Sequence, residues 1–107
     1  MLESAQYIEA YTTGMGFNEF SEDTRTRDAV VRNFEIIGEA ANNLPEELTQ
    51  KYKNIDWPGI VGFRNVLIHN YFGVDYAMLW DVLQTFLPEL KERLTLILLD
   101  LENQPKE

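Results

Sequence analysis

The chain has 107 residues, with 9 Lys or Arg against 18 Asp or Glu, so its formal net charge is −9. This length allows one small domain, and an apolar fraction of 45% is enough for a core and excludes a disordered chain. The lack of Cys excludes thiolate catalysis and Cys-ligated metals, and a single His excludes a multi-His metal site within one subunit. The negative charge argues against binding of nucleic acid by bulk attraction to phosphate.

No segment of the sequence is typical of a targeting or membrane element. The residues after Met1 form neither a basic start nor an apolar run. The longest apolar stretch near the C-terminus, Leu94–Leu101, is far shorter than the ~20 residues that span a bilayer. We therefore expect a cytoplasmic protein that does not bind membranes.

The first predicted helix covers about residues 2–13, where apolar residues recur at steps of three. Gly14 and Gly16 end this helix, because glycine readily adopts the backbone conformation of a helix C-terminal cap. Phe17 and Phe20 follow in a predicted connecting segment.

The second predicted helix starts at Ser21 or Asp23, whose side chains can cap its first turn, and it ends before Pro45. Gly38 lies inside this helix and costs roughly 1 kcal/mol relative to alanine. We expect that another helix approaches closely at Gly38.

Three more helical segments complete the prediction. A short helix covers about residues 46–52, and the next covers about residues 58–70, with Asp56 as its cap. The last segment covers about residues 76–101, and Pro88 must either kink it or start a new helix.

The resulting fold prediction is all-α: an antiparallel bundle of four or five helices. It forms a single domain over residues 1–102, followed by a polar tail at residues 103–107. The apolar repeat of the last helix fits either the core of one subunit or an interface with a second subunit, and a core this small makes a homodimer reasonable.

The segment 62–73 concentrates the residues that could carry chemistry, including the only His. We expect its central residues 66–68 to anchor it to the core. Arg64 and His69 are five residues apart, so on a continuous helix they point about 140° apart. They converge only if the helix ends or unwinds there, or if each reaches a groove shared by two subunits.

An Arg and a His together suit metal-free cleavage of RNA, since His transfers protons near neutral pH and Arg binds phosphate. The RNA 2′-hydroxyl is then the nucleophile, and Asn65 could orient the phosphate or the His. From the residues alone, we favour the alternative of a His packed against aromatic residues at a helix end and an Arg in a surface ion pair. Glu35 and Glu39 share a helix face and could bind a metal, but we favour a solvated or interface role for them.

The segment 64–71 resembles the signature of the HepT-like branch of the HEPN superfamily, which is Arg, four residues, His, one residue and Tyr. The resemblance extends over essentially the whole chain. Flanking features accompany it in order. Asn33–Ala41 is similar to the family's second-helix signature, Trp57 precedes the motif, and residues 71–75 and 87–90 follow its His.

The resemblance implies a homodimeric, all-helical toxin of a two-gene, type VII-like toxin–antitoxin module. It implies a metal-independent endoribonuclease, without a cofactor, in which Arg64 and His69 are catalytic and Asn65 supports the Arg. The implied partner is a minimal nucleotidyltransferase antitoxin called MntA, which inactivates the toxin by transferring AMP to the hydroxyl of Tyr71. Added phosphates would then block RNA by bulk and charge.

Two further hypotheses remain open from the sequence. The chain could be a non-catalytic nucleotide- or partner-binding module that serves as the recognition subunit of a nucleotidyltransferase, or a purely structural dimer. The sequence also departs from the family in one respect. Members usually have several more residues before the first apolar stripe, on which Leu2 already lies here, so a truncated or misassigned start is a further expectation.

Overall fold

The computed structural model describes residues 1–69, 73 and 75–104. Within these residues the regular secondary structure is helical, which confirms the all-α prediction. The six helices are, in chain order, α1 (Leu2–Thr12), α2 (Phe17–Glu22), α3 (Thr24–Asn42), α4 (Glu46–Lys51), α5 (Trp57–His69) and α6 (Tyr76–Glu102).

The segment predicted to be a plain connection after the first helix is itself a helix, α2, so the described helices number six rather than four or five. Packing explains the difference. Phe20 is fully buried, its ring centroid lies 5.1 Å from that of Trp80 on α6, and Phe17 meets the same indole edge-on. One helical turn and a half brings both rings to Trp80, and burial of aromatic surface outweighs the low intrinsic stability of so short a helix.

Helix α3 lies at the centre of the bundle and packs against α1, α2 and α5, while α6 packs against α1 and α2. The start of α3 is capped as predicted, because Oδ1 of Asp23 accepts a hydrogen bond from the amide of Thr26 at 3.1 Å. The shared core consists of apolar side chains from α1, α2, α3, α5 and α6 and the loop before α5. Its largest fully buried members are Ile8, Phe20, Val30, Ile37, Leu67, Leu79, Leu87 and Leu90.

Helix α6 is continuous across Pro88, so the alternative that a new helix starts there is wrong. The residues that flank the proline explain why: Leu87 and Leu90 are both buried, and the core stripe passes through this turn without interruption. Of the two alternatives for the apolar repeat of α6, most of its residues fit the core, because they are buried within the subunit. Among the described helices, none is long and apolar enough to cross a membrane.

A hydrogen bond from the Tyr52 hydroxyl to the Asp100 carboxylate ties the end of α4 to α6. This bond raises the pKa of Tyr52 above 10.0 and lowers the pKa of Asp100 below 3.8. The Asp100 contribution to stability is therefore present above pH 3.8 and lost as the pH falls through its folded-state pKa. The Tyr52 contribution is present below pH 10.0 and lost as the pH rises through its folded-state pKa.

We expect Tyr52→Phe to lower the urea midpoint of unfolding near neutral pH, and the difference from wild type to narrow once Asp100 is protonated, below pH 3.8. Tyr11→Phe, which removes another exposed hydroxyl, is the control and should show no such pH dependence. An equal difference at both pH values would show that the hydroxyl stabilises the fold independently of the ionised carboxylate.

Candidate active site

Residues 64–69 of the motif segment lie in the second half of α5, which is a regular helix from Trp57 to His69. Asp56 starts this helix as predicted, because its Oδ1 accepts from the amide of Gly59 at 3.0 Å. Trp57 is buried, and its indole N–H donates to the carbonyl of Tyr52 at 3.0 Å, so it packs the start of the helix against the loop before it.

The expectation that residues 66–68 all anchor the motif to the core is wrong. Leu67 is fully buried, whereas Val66 and Ile68 are each 44% exposed. The reason is helix geometry: consecutive residues are 100° apart, so a helix that lies on the bundle surface buries one of three and exposes its neighbours. The motif therefore carries two exposed apolar side chains beside its polar ones.

Arg64 lies between α5 and α3, with its stem across the backbone of Gly38. A Cβ atom at position 38 would overlap the Cβ of Arg64 and come within 2.9 Å of its Cγ. The predicted close helix–helix approach at Gly38 is thus confirmed, and the side chain that occupies the space belongs to the motif. Gly38 lets the arginine stem cross α3 where any larger residue would push it away.

The guanidinium of Arg64 is held by two neighbours. Its Nη2 lies 2.5 Å from Oε2 of Glu39 on α3, and its Nη1 donates to Oδ1 of Asn65 at 3.1 Å. Its Nε is buried and has no hydrogen-bond partner among the described residues. The side chain is 24% exposed, so the head group is oriented by fixed contacts and still open to solvent at one edge.

His69 is the last residue of α5 and is exposed. Because the helix is regular up to His69, His69 and Arg64 lie on different sides of it, and no unwinding brings them together within one subunit. Asn65 lies four residues before His69, about 40° around the axis and ~6 Å along it, so these two side chains share a side of α5. The structure thus joins Arg64 to Asn65 by a hydrogen bond and places His69 one turn beyond Asn65.

Tyr71, the residue expected to be modified, lies outside the described residues. A metal site is not apparent in the described part of the chain, where no group of three or more His, Asp or Glu side chains converges. The site consists of a fixed cation, a carboxamide and an imidazole, which suits phosphate binding and proton transfer.

Glu39 is the residue whose role the sequence reasoning missed. We expected a solvated or interface carboxylate, but Glu39 contacts Arg64, while Glu35, one turn earlier, lies 3.6 Å from Arg32. The position of Glu39 directly after Gly38 was the sequence signal for this contact. A glycine that admits a neighbouring helix also brings the following side chain within reach of that helix.

The family model described as ribonuclease HepT-like matches residues 1–97 of the chain. The chain is 38% identical over 104 residues to "Putative RNase MJ0127" of Methanocaldococcus jannaschii, with 97% of this chain and 86% of that protein covered. It is 39% identical over 89 residues to "Probable ribonuclease HepT" of Thermococcus cleftensis, with 83% of this chain and 81% of that protein covered. No solved structure is significantly similar to this chain.

Proposed function

Because the chain belongs to the ribonuclease HepT-like family, we propose that it is the toxin of a HepT/MntA-type module and cleaves RNA without a metal. The observation that carries the proposal is the fixed geometry of Arg64 beside Asn65, with an exposed His69 one turn further along the same helix. An arginine oriented before substrate arrives loses little entropy when it binds a phosphate.

The proposed reaction is an internal transfer at one phosphodiester. The RNA 2′-oxygen attacks the adjacent phosphorus and the 5′-oxygen of the next nucleotide leaves, so a 2′,3′-cyclic phosphate and a 5′-hydroxyl are formed. His69 accepts or donates a proton at one of these oxygens. Arg64 stabilises the negative charge that develops on the non-bridging oxygens, and Asn65 supports the orientation of Arg64 through its side-chain oxygen.

We propose that the complete site is formed by two subunits. Arg64 and His69 lie on different sides of α5, and each chain has only one His, so a second copy is needed to place a His on either side of a phosphate. The exposed apolar residues within the motif, Val66 and Ile68, give this region the surface expected of a dimer interface.

The test of the function uses the wild-type protein, a single-stranded RNA and a matching 2′-O-methyl oligonucleotide, both in the presence of chelator. We expect cleavage of the RNA with 2′,3′-cyclic phosphate ends and no cleavage of the methylated strand, which lacks the nucleophile. Cleavage of both strands would contradict the 2′-hydroxyl mechanism. No cleavage of either strand, with binding to a nucleotidyltransferase partner retained, would favour a non-catalytic recognition subunit.

We further propose that a minimal nucleotidyltransferase antitoxin of the MntA kind silences the protein by transferring AMP to Tyr71. Tyr71→Phe removes the accepting hydroxyl, so we expect this variant to keep its RNase activity after incubation with the antitoxin and ATP, while wild type loses activity and gains mass in AMP units. Tyr76→Phe is the matched control and should be silenced like wild type. Silencing of Tyr71→Phe with a gain of AMP mass would contradict the assignment.

A further inference from the structure

A groove of about 1010 Å³ runs from Asn65 along α5 towards the end of α4. Its wall on α5 includes Pro58, Gly62 and Asn65, which recur at steps of three and four and so form one side of the helix. His69 continues the same side, seven residues after Gly62 and about 20° around the axis. The groove therefore leads directly from the side of α5 that carries the candidate proton-transfer residue.

Four side-chain amides line this groove. Asn42 at the end of α3, Gln50 on α4, Asn54 in the loop before α5, and Asn65 all line it, and all four are exposed. A carboxamide offers both a donor and an acceptor, which is the pattern that reads the edges of unpaired bases.

The charge of the groove also differs from that of the chain. Two cations, Lys53 and Arg93, and two carboxylates, Asp56 and Glu89, line it, so its formal charge is zero in a chain of net charge −9. Arg93 is paired with Glu89, whereas Lys53 is exposed and forms no ion pair with the described residues. Lys53 is thus available for a phosphate at the far end of the groove.

Gly62 supplies an independent observation. A glycine inside a helix is destabilising, and Gly38 and Gly59 are explained by atoms that a Cβ would meet. At Gly62 no heavy atom of the described residues lies within 4 Å of the Cβ position. The chain's own packing therefore does not require this glycine, and a larger side chain here would project into the groove that Gly62 lines.

We propose that this groove binds the unpaired nucleotides that adjoin the scissile phosphate of an RNA substrate, with the amides contacting base edges and Lys53 a phosphate. This inference rests on the proposed function and adds to it a substrate subsite outside Arg64 and His69. It also explains how an acidic protein holds RNA: by a neutral, hydrogen-bonding track instead of a basic surface.

The test measures binding of a fluorescent 2′-O-methyl oligonucleotide by anisotropy, a readout that needs no cleavage. Gly62→Leu projects a side chain into open groove space and is expected to raise the Kd about tenfold or more. Gln84→Leu adds the same side chain at an exposed site on α6 and should change nothing. Thermal unfolding of each variant checks that it is folded. Gly62→Leu should retain the fold, because replacement of a helical glycine favours the helix.

Lys53→Gln tests the charged end of the groove. It should weaken binding several-fold and reduce the slope of log K against log salt by about 0.7, the value for one lost contact to a single strand. Arg25→Gln removes one exposed cation elsewhere and is expected to leave the slope unchanged.

Three results would overturn the inference. The first is unchanged oligonucleotide binding by Gly62→Leu, and the second is no binding by wild type. The third is a Gly62→Leu variant that loses binding and is monomeric in light scattering where wild type is a dimer, which would make the groove a subunit interface. If the proposed function is wrong but the groove does bind RNA, the result differs: wild type binds the oligonucleotide through the groove and still leaves RNA uncut.

Discussion

Replacing His69 by alanine is expected to lower the rate of RNA cleavage by about two to four orders of magnitude, the usual contribution of one acid–base group. The large effect follows from composition as much as from geometry. The chain has one His and no Cys, so within a subunit no second side chain of similar proton affinity can take over the transfer. Cleavage should be equally low with and without chelator.

The same substitution should barely affect folding. His69 is exposed and ends α5, where a histidine contributes at most about 1 kcal/mol through the helix dipole. The urea midpoint of His69→Ala should therefore lie close to that of wild type, and Gln84→Ala, an exposed change on α6, serves as the activity control. Partial recovery of cleavage on addition of free imidazole would support proton transfer. Activity within a few-fold of wild type would refute a catalytic role for His69.

Local signals account for the parts of the fold that the sequence predicted. The caps at Asp23 and Asp56, the breaks at Gly14 and Pro45, and the core stripe of α6 each depend on residues within a few positions of one another. The close approach at Gly38 was predictable because a mid-helix glycine is costly without a packing reason.

Features that arise from tertiary packing were missed. Helix α2 exists because Phe20 packs on Trp80, sixty residues away in sequence, and neither ring reveals the other in a periodicity pattern. The exposure of Val66 and Ile68 depends on which side of α5 faces α3, which an almost uniformly apolar run of residues does not disclose. The sequence gives the identity of the motif residues, but the partners that orient them come from another helix.

Glu39 is such a partner, because it contacts Arg64 from α3, and we expect its removal to have the second large effect on RNA cleavage. We expect Glu39→Ala to lower kcat about 10- to 100-fold while KM changes little, because a misplacement of Arg64 by about 1 Å costs up to two orders of magnitude. Glu39→Gln should retain much of the activity, since its side-chain oxygen can still accept from Nη2 of Arg64. Recovery in the glutamine variant separates positioning from a need for negative charge.

Glu35→Ala is the matched control, because Glu35 lies on the same face of α3 and contacts Arg32 instead of Arg64. Both alanine variants should unfold within about 1 kcal/mol of wild type, as expected for largely solvated ion pairs, so stability cannot account for a difference in kcat. If Glu39→Ala instead cleaved faster, the carboxylate would be competing with RNA phosphate for the guanidinium. A loss confined to Glu39 means that α3 orients the arginine, and that the Gly38–Glu39 pair places and then fixes the same side chain.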